Sequence, residues 1–217
     1  MRGVLTGIAL LGLILAACGA AQSVPPFSTA TTGAPVAPAG PKSYSAPPAM
    51  AIDVNKQYVA VIRTNFGDLT FELLPGDAPV ATNNFVALAR DGYYTNVGFH
   101  RIIPTFMAQS GDPTGTGTGG PGYSFAIEPP KRPYVRGSLA MANKGIPNSN
   151  GAQFFIAFDR LSELGRLSPD YTLFGQMIDG EATLAKIEAV KVGPSASGET
   201  SKPLEDVRIL TVEIRER

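Results

Sequence analysis

The residues able to do chemistry are few, and their scarcity narrows what the chain can be. Its 217 residues contain one cysteine, Cys18, and one histidine, His100. A zinc centre normally recruits three or four Cys, His or carboxylate ligands, so no metal is expected. A Cys-His nucleophilic dyad is equally unpromising, because Cys18 falls in what reads as an N-terminal export segment. One cysteine also leaves no intrachain disulfide framework. What remains is Arg101, directly after His100 in the run FHRIIP at 99–104. An arginine brings no base or nucleophile; it brings a fixed, planar fork of hydrogen-bond donors. Alone on a strand it is usually a solvated charge. Lys+Arg and Asp+Glu balance at 18 each, so no net field draws nucleic acid or an acidic surface, and no nucleic-acid partner is expected.

The elements that must position Arg101 lie in the last of three regions. Residues 1–18, MRGVLTGIALLGLILAAC, carry Arg2 and then an apolar stretch over about 4–15. That stretch is short of the roughly 20 residues a membrane-spanning helix needs and fits the apolar core of a signal peptide. Its end, Leu15-Ala16-Ala17-Cys18, resembles the bacterial lipobox. The resemblance implies cleavage before Cys18, lipidation of that residue and attachment of an extracytoplasmic protein to a bacterial membrane. Residues 19–56 are rich in Pro, Ala, Ser, Thr and Gly with few, unpatterned large apolar residues, and read as a disordered tether. Residues 57–217 carry the fold. Runs at 58–64 and 68–74 read as strands joined by a tight turn at Asn65-Phe66-Gly67. Pro79 opens an amphipathic helix that ends near Gly92. Short strand-like runs follow at 98–103, 106–110, 138–142, 154–158 and 171–176, then a helix at 181–189 and a strand at 207–214. Many short strands with glycine-rich connections and two helices predict a mainly β domain built as a closed antiparallel barrel.

Three segments go beyond fold class: FHRIIPTFMAQSGD at 99–112, GTGTGGPG at 115–122 and SLAMANKGIPNSNGAQFFI at 138–156. With Phe174-Gly175 they resemble, in order and spacing, the signature blocks of the cyclophilin-type peptidyl-prolyl cis-trans isomerases. The resemblance covers essentially all of 57–217 and implies a closed eight-stranded antiparallel β-barrel capped by two α-helices. It implies catalysed rotation of Xaa-Pro bonds in proline-containing polypeptide clients, by a monomer, with no cofactor. Arg101 matches the family's catalytic arginine, and Gln109 the glutamine that orients it. Phe106, Met107, Phe155 and Leu167 match the proline pocket. Ala142, Asn143 and Gln153 match groove positions that hold the substrate chain extended, beside a loop at Gly117, Thr118 and Gly119. Isomerisation transfers no proton, so His100 needs no role as a base.

The chain departs from better-known relatives. It has no Trp, and the position where many eukaryotic members carry one falls near Arg166. Tyr171 replaces a pocket histidine, Ile146 looks inserted, and Ser110 replaces a glycine. These departures leave the arginine and pocket in place but bear on cyclosporin affinity. Two competing readings remain: a peptide-holding module with little turnover, and a solute-binding lipoprotein. The second has no account of the three blocks and too small a domain for two lobes.

Overall fold

The structure, a computed structural model, describes residues 42–161, 167–168 and 170–217. The segment 1–18 with Cys18, the start of the expected tether and Arg166 lie outside the described residues.

The first hairpin follows from two β-rich runs and one glycine. β1 (Tyr58–Thr64) and β2 (Gly67–Leu73) pair antiparallel around Asn65-Phe66. Gly67 has φ +131°, and a Cβ there would stand 2.4 Å from the Thr183 hydroxyl, so only glycine fits. Helix α1 (Pro79–Arg90) starts with the expected proline, but Ala78 at its N-cap offers no side-chain acceptor. The Glu128 carboxylate substitutes from a distant loop, accepting from the Val80 and Ala81 amides at 3.0 and 2.8 Å, an arrangement that also suits the helix dipole.

The remaining elements are β3 (Val97–Gly98), β4 (Arg101–Ile103), β5 (Met107–Ser110), β6 (Ser138–Met141), β7 (Phe154–Ala157), β8 (Leu173–Asp179), α2 (Glu181–Glu188), β9 (Val192–Pro194), β10 (Thr200–Pro203) and β11 (Arg208–Glu216). Nine strands form one sheet in the order β3-β11-β1-β2-β8-β6-β7-β5-β4, and β9 and β10 form a separate hairpin. The closed eight-stranded barrel expected from the sequence is therefore corrected to a strongly curled half-barrel of nine strands, open between β3 and β4. The cause is a break in the single run expected at 98–103. The chain leaves β3 at Gly98, crosses through Phe99-His100 and enters β4 at Arg101, so one apparent strand supplies both edges of the sheet. Across that opening the Ser110 hydroxyl donates to the Gly98 carbonyl at 2.9 Å, a contact that a glycine at this position could not make.

The main core lies inside the curl. Phe85 stacks on Tyr94 at 5.0 Å and meets Phe154 and Phe174 at 5.6 and 5.2 Å between ring centroids, spacings typical of favourable aromatic pairs. The helix α1 packs against β8 and β11, and α2 against β2 and β5.

The tether expected over 19–56 is also corrected at its end, since residues 42–56 lie along the domain as a strap. The Asn83 carboxamide on α1 accepts from the Ala51 and Ile52 amides at 2.8 and 3.3 Å and donates to the Pro48 and Ala49 carbonyls at 3.3 and 3.0 Å. Lys42 and Tyr44 both reach the Asp91 carboxylate, at 2.9 and 2.6 Å, and Ile52 is buried in the main core. Composition missed this because the strap is held mainly by its backbone polar groups, which every sequence has. Asn83→Ala should cost about 1–3 kcal/mol of unfolding free energy, the penalty for stranding buried backbone partners, and should speed amide exchange at Ala51 and Ile52. Unchanged urea unfolding and unchanged exchange would show that other contacts hold the strap.

Candidate active site

Strand alternation builds this site. Ile102, Ala108, Phe154 and Ile156 belong to the main core, while Met107, Ala140, Phe155 and Ala157 form a second cluster on the other face. Successive side chains on a strand point to opposite faces, so Arg101 and Gln109 share the second face with Met107 and Phe155. Register then lines them up: Arg101 stands opposite Gln109, Gln109 opposite Phe155, and Phe155 opposite Ala140. Four strands thus present a row that begins with a cation and ends in an apolar wall.

Over that row lies a cavity of about 90 Å³ lined by Arg101, Phe106, Met107, Gln109, Ala142, Asn143, Phe155, Leu167 and Tyr171. Tyr171 closes one side edge-on to Phe155, with ring centroids 5.5 Å apart at 88°. A neighbouring cleft of about 300 Å³ shares Gln109, Ala142 and Asn143 and is bounded by Gly117, Thr118, Gly119 and Gln153. All thirteen positions that the sequence matched to the pocket, groove and glycine loop therefore surround one continuous groove.

Polar contacts tie the groove together. Arg101 Nη1 donates to Gln109 Oε1 at 3.3 Å, and Gln109 Nε2 donates to Gln153 Oε1 at 2.9 Å. Gln153 Nε2 in turn donates to the Gly117 and Gly119 carbonyls at 3.0 and 2.8 Å. The Gln153 amide is thus spent on fixing the glycine loop rather than left open for a ligand. The Asn143 side chain is similarly engaged, donating to the Asp170 carbonyl at 2.8 Å and accepting from the Gly145 amide at 2.9 Å. Gly117 has φ +80°, and a Cβ there would lie 3.3 Å from His100 Cδ2. His100 is a buttress under the loop: burial lowers its pKa, and neither ring nitrogen has a hydrogen-bond partner among the described residues.

The family profile for cyclophilin type peptidyl-prolyl cis-trans isomerase/CLD matches residues 59–214. A Staphylococcus aureus protein named for this isomerase activity is 41% identical over 185 residues, covering 72% of this chain and 91% of its own. A Staphylococcus saprophyticus counterpart is 39% identical over 199 residues, covering 78% and 98%. The crystal structure of a Cryptosporidium parvum cyclophilin type isomerase superposes with a TM-score of 0.66 at 41% identity, over 75% of this chain and 99% of that one. A second crystal structure of that protein, in the presence of the dipeptide Ala-Pro, has the same TM-score at 40% identity, over 73% of this chain and 99% of that one.

The chain is a cyclophilin-type peptidyl-prolyl cis-trans isomerase.

Two residues that brace this cyclophilin's groove from outside its lining were not singled out from its sequence. One is Asp112, fully buried, whose carboxylate accepts from the Thr114 amide and hydroxyl at 2.8 and 2.7 Å and from the Gly117 and Gly119 amides at 2.7 and 3.0 Å. Burial alone would raise its pKa, but these hydrogen bonds outweigh burial and hold the carboxyl below its ordinary value. An aspartate directly before a Gly/Thr run was the available signal, since short acidic side chains bind backbone amides just ahead of them. The other is Glu199, which grips Arg101: Nε donates to Oε2 at 2.7 Å and Nη2 to Oε1 at 2.8 Å. This bond lowers the Glu199 pKa to about 2. No local signal marked Glu199, which is 98 residues from its partner.

Because the Asp112 pKa is depressed in the folded protein, its hold on the loop is fully present above the ordinary aspartate value of ~3.9. It is lost only as pH falls through the lower folded value. Amide exchange at Gly117 and Gly119 should therefore stay protected down to about pH 4 in the wild type and be fast at every pH in Asp112→Ala. Equal protection in the two proteins would show that the carboxylate does not anchor the loop.

Proposed function

We propose that this cyclophilin lowers the rotational barrier of Xaa-Pro bonds by aiming Arg101 at the proline nitrogen of a twisted amide. The observation carrying this reading is that Arg101, held by Gln109 and Glu199, lines a cavity of about 90 Å³ together with Phe106, Met107, Phe155, Leu167 and Tyr171. A planar prolyl amide has a barrier of ~20 kcal/mol because its nitrogen lone pair is delocalised into the carbonyl. Twisting ends that delocalisation, makes the nitrogen pyramidal and turns it into a hydrogen-bond acceptor. A donor fixed there stabilises the twisted state more than either planar isomer, which is the requirement for raising the rate rather than the affinity. Phe106, Met107, Phe155, Leu167 and Tyr171 would hold the pyrrolidine ring; the Cryptosporidium protein has been crystallised in the presence of the proline-containing dipeptide Ala-Pro. The backbone at Ala142 and Asn143 and the loop at Gly117 and Thr118 would keep the flanking chain extended in the larger cleft. Gln109 would steady the arginine.

The clients, in this reading, are proline-containing polypeptides folding or maturing outside the cytoplasmic membrane, served by a monomer without cofactor or nucleic acid. The support is the segment 1–18, whose lipobox-like end would let Cys18 carry the lipid anchor. Two or more acyl chains, each buried CH₂ contributing about 0.8 kcal/mol, suffice for stable membrane attachment.

Arg101→Ala should cut kcat/KM for an Xaa-Pro peptide by roughly 10²–10³, the loss typical of removing one preorganised donor, with the domain still folded. Phe155→Ala should instead act mainly through KM. Wild-type turnover by folded Arg101→Ala would refute the twisted-amide role and favour a peptide-holding function. Separately, Cys18→Ala should abolish incorporation of labelled fatty acid and release the protein from the membrane fraction; retention equal to wild type would exclude lipidation as the anchor.

A further inference from the structure

The Arg101–Glu199 contact reaches across the fold. Glu199 belongs to the turn between β9 and β10, and β10 lies beside β4, the edge strand that carries Arg101. That turn is defined: the Gly198 amide donates to the Ser195 carbonyl at 3.0 Å and the Ser195 amide to the Glu199 carbonyl at 2.7 Å. The backbone that carries Glu199 is therefore held by the turn itself, independently of the arginine.

A guanidinium has five N–H donors. Glu199 takes one on Nε and one on Nη2, the edge suited to a bidentate carboxylate, and Gln109 takes one on Nη1. One N–H on each terminal nitrogen is then without a partner among the described residues. Both side chains are about one-third exposed, at 35% and 39%, so the pair contributes little to stability for its charge alone. Its bidentate geometry does more, since two parallel bonds fix the plane and roll of the fork. With Gln109 on the remaining nitrogen, all three guanidinium nitrogens are tethered to the protein.

We propose that Glu199 is a positioning residue for isomerisation, holding the Nε/Nη2 edge of Arg101 so that the remaining donors stay aimed into the proline pocket. This rests on the transition-state role given to Arg101. Because the bond to Arg101 holds the carboxyl at about 2, the tether is intact throughout the neutral range.

The test is steady-state turnover of an Xaa-Pro peptide by Glu199→Ala, Glu199→Gln, Arg101→Ala and the double variant, with kcat and KM resolved. Glu199→Ala should lower kcat roughly 10-fold, the scale of loss when a catalytic group is displaced by a fraction of an ångström, and leave KM within about twofold. Glu199→Gln, which keeps one acceptor, should recover part of that rate. In the Arg101→Ala background Glu199→Ala should cost nothing further, because the two act as one unit. A residue that only braced the β9–β10 turn would change unfolding and leave kcat alone. Wild-type kcat in Glu199→Ala, a raised kcat, or an equal loss in both backgrounds would each overturn the proposal. Slow Arg101→Ala with wild-type Glu199→Ala would sink this inference alone; wild-type Arg101→Ala would sink the underlying reading.

Discussion

The orientation of one guanidinium sets the terms for the rest of the groove. Arginine has a long, rotamer-rich side chain whose ordering is entropically costly, and one that is a third exposed would ordinarily sample many positions. Here Glu199 holds one edge, Gln109 the other nitrogen, and Gln153 passes the connection to the carbonyls of Gly117 and Gly119. The amides of the same two glycines end on Asp112. Each donor meets an acceptor, so the chain of contacts has a single polarity from Arg101 to the loop. Such a network resists reorganisation, and electrostatic catalysis depends on donors that need not move as charge develops.

The apolar half of the site is a by-product of making β7 buried on both faces. Phe154 and Ile156 serve the main core, and Phe155 and Ala157 the second cluster. Burying a Phe side chain contributes about 1.5–3 kcal/mol, so Phe155 helps hold the sheet while its ring remains one wall of the pocket. The same strand therefore couples stability to substrate shape. Phe106, Leu167 and Tyr171 are only partly buried against this cluster, consistent with a pocket that stays open to an entering ring.

Local pattern made much of this legible. The β-rich run at 58–64, Pro79 at a helix start and the blocks around Arg101 and Phe155 depend on near neighbours in sequence, and each element stands close to where it was expected. What escaped depends on distance. The run at 98–103 looks like one strand, yet its two ends belong to opposite edges of the sheet, which only the topology reveals. Residues 42–56 look like linker because their attachment is through backbone groups meeting Asn83. Glu199 reads as a solvated charge in a turn until β10 is laid beside β4. Gln153, expected to hold the substrate chain, has its amide nitrogen committed to the loop carbonyls.

The central claim is that the fork of Arg101 acts on the twisted amide and hardly on the planar ones. It is tested most directly by exchange NMR on one saturating Xaa-Pro peptide bound to wild type and to Arg101→Lys, which keeps the charge and removes the planar fork. Cis–trans interconversion of the bound peptide should slow by roughly 10–10², while the dissociation constants of the two isomers stay within about twofold. Unchanged interconversion accompanied by weakened binding of both isomers would contradict the account.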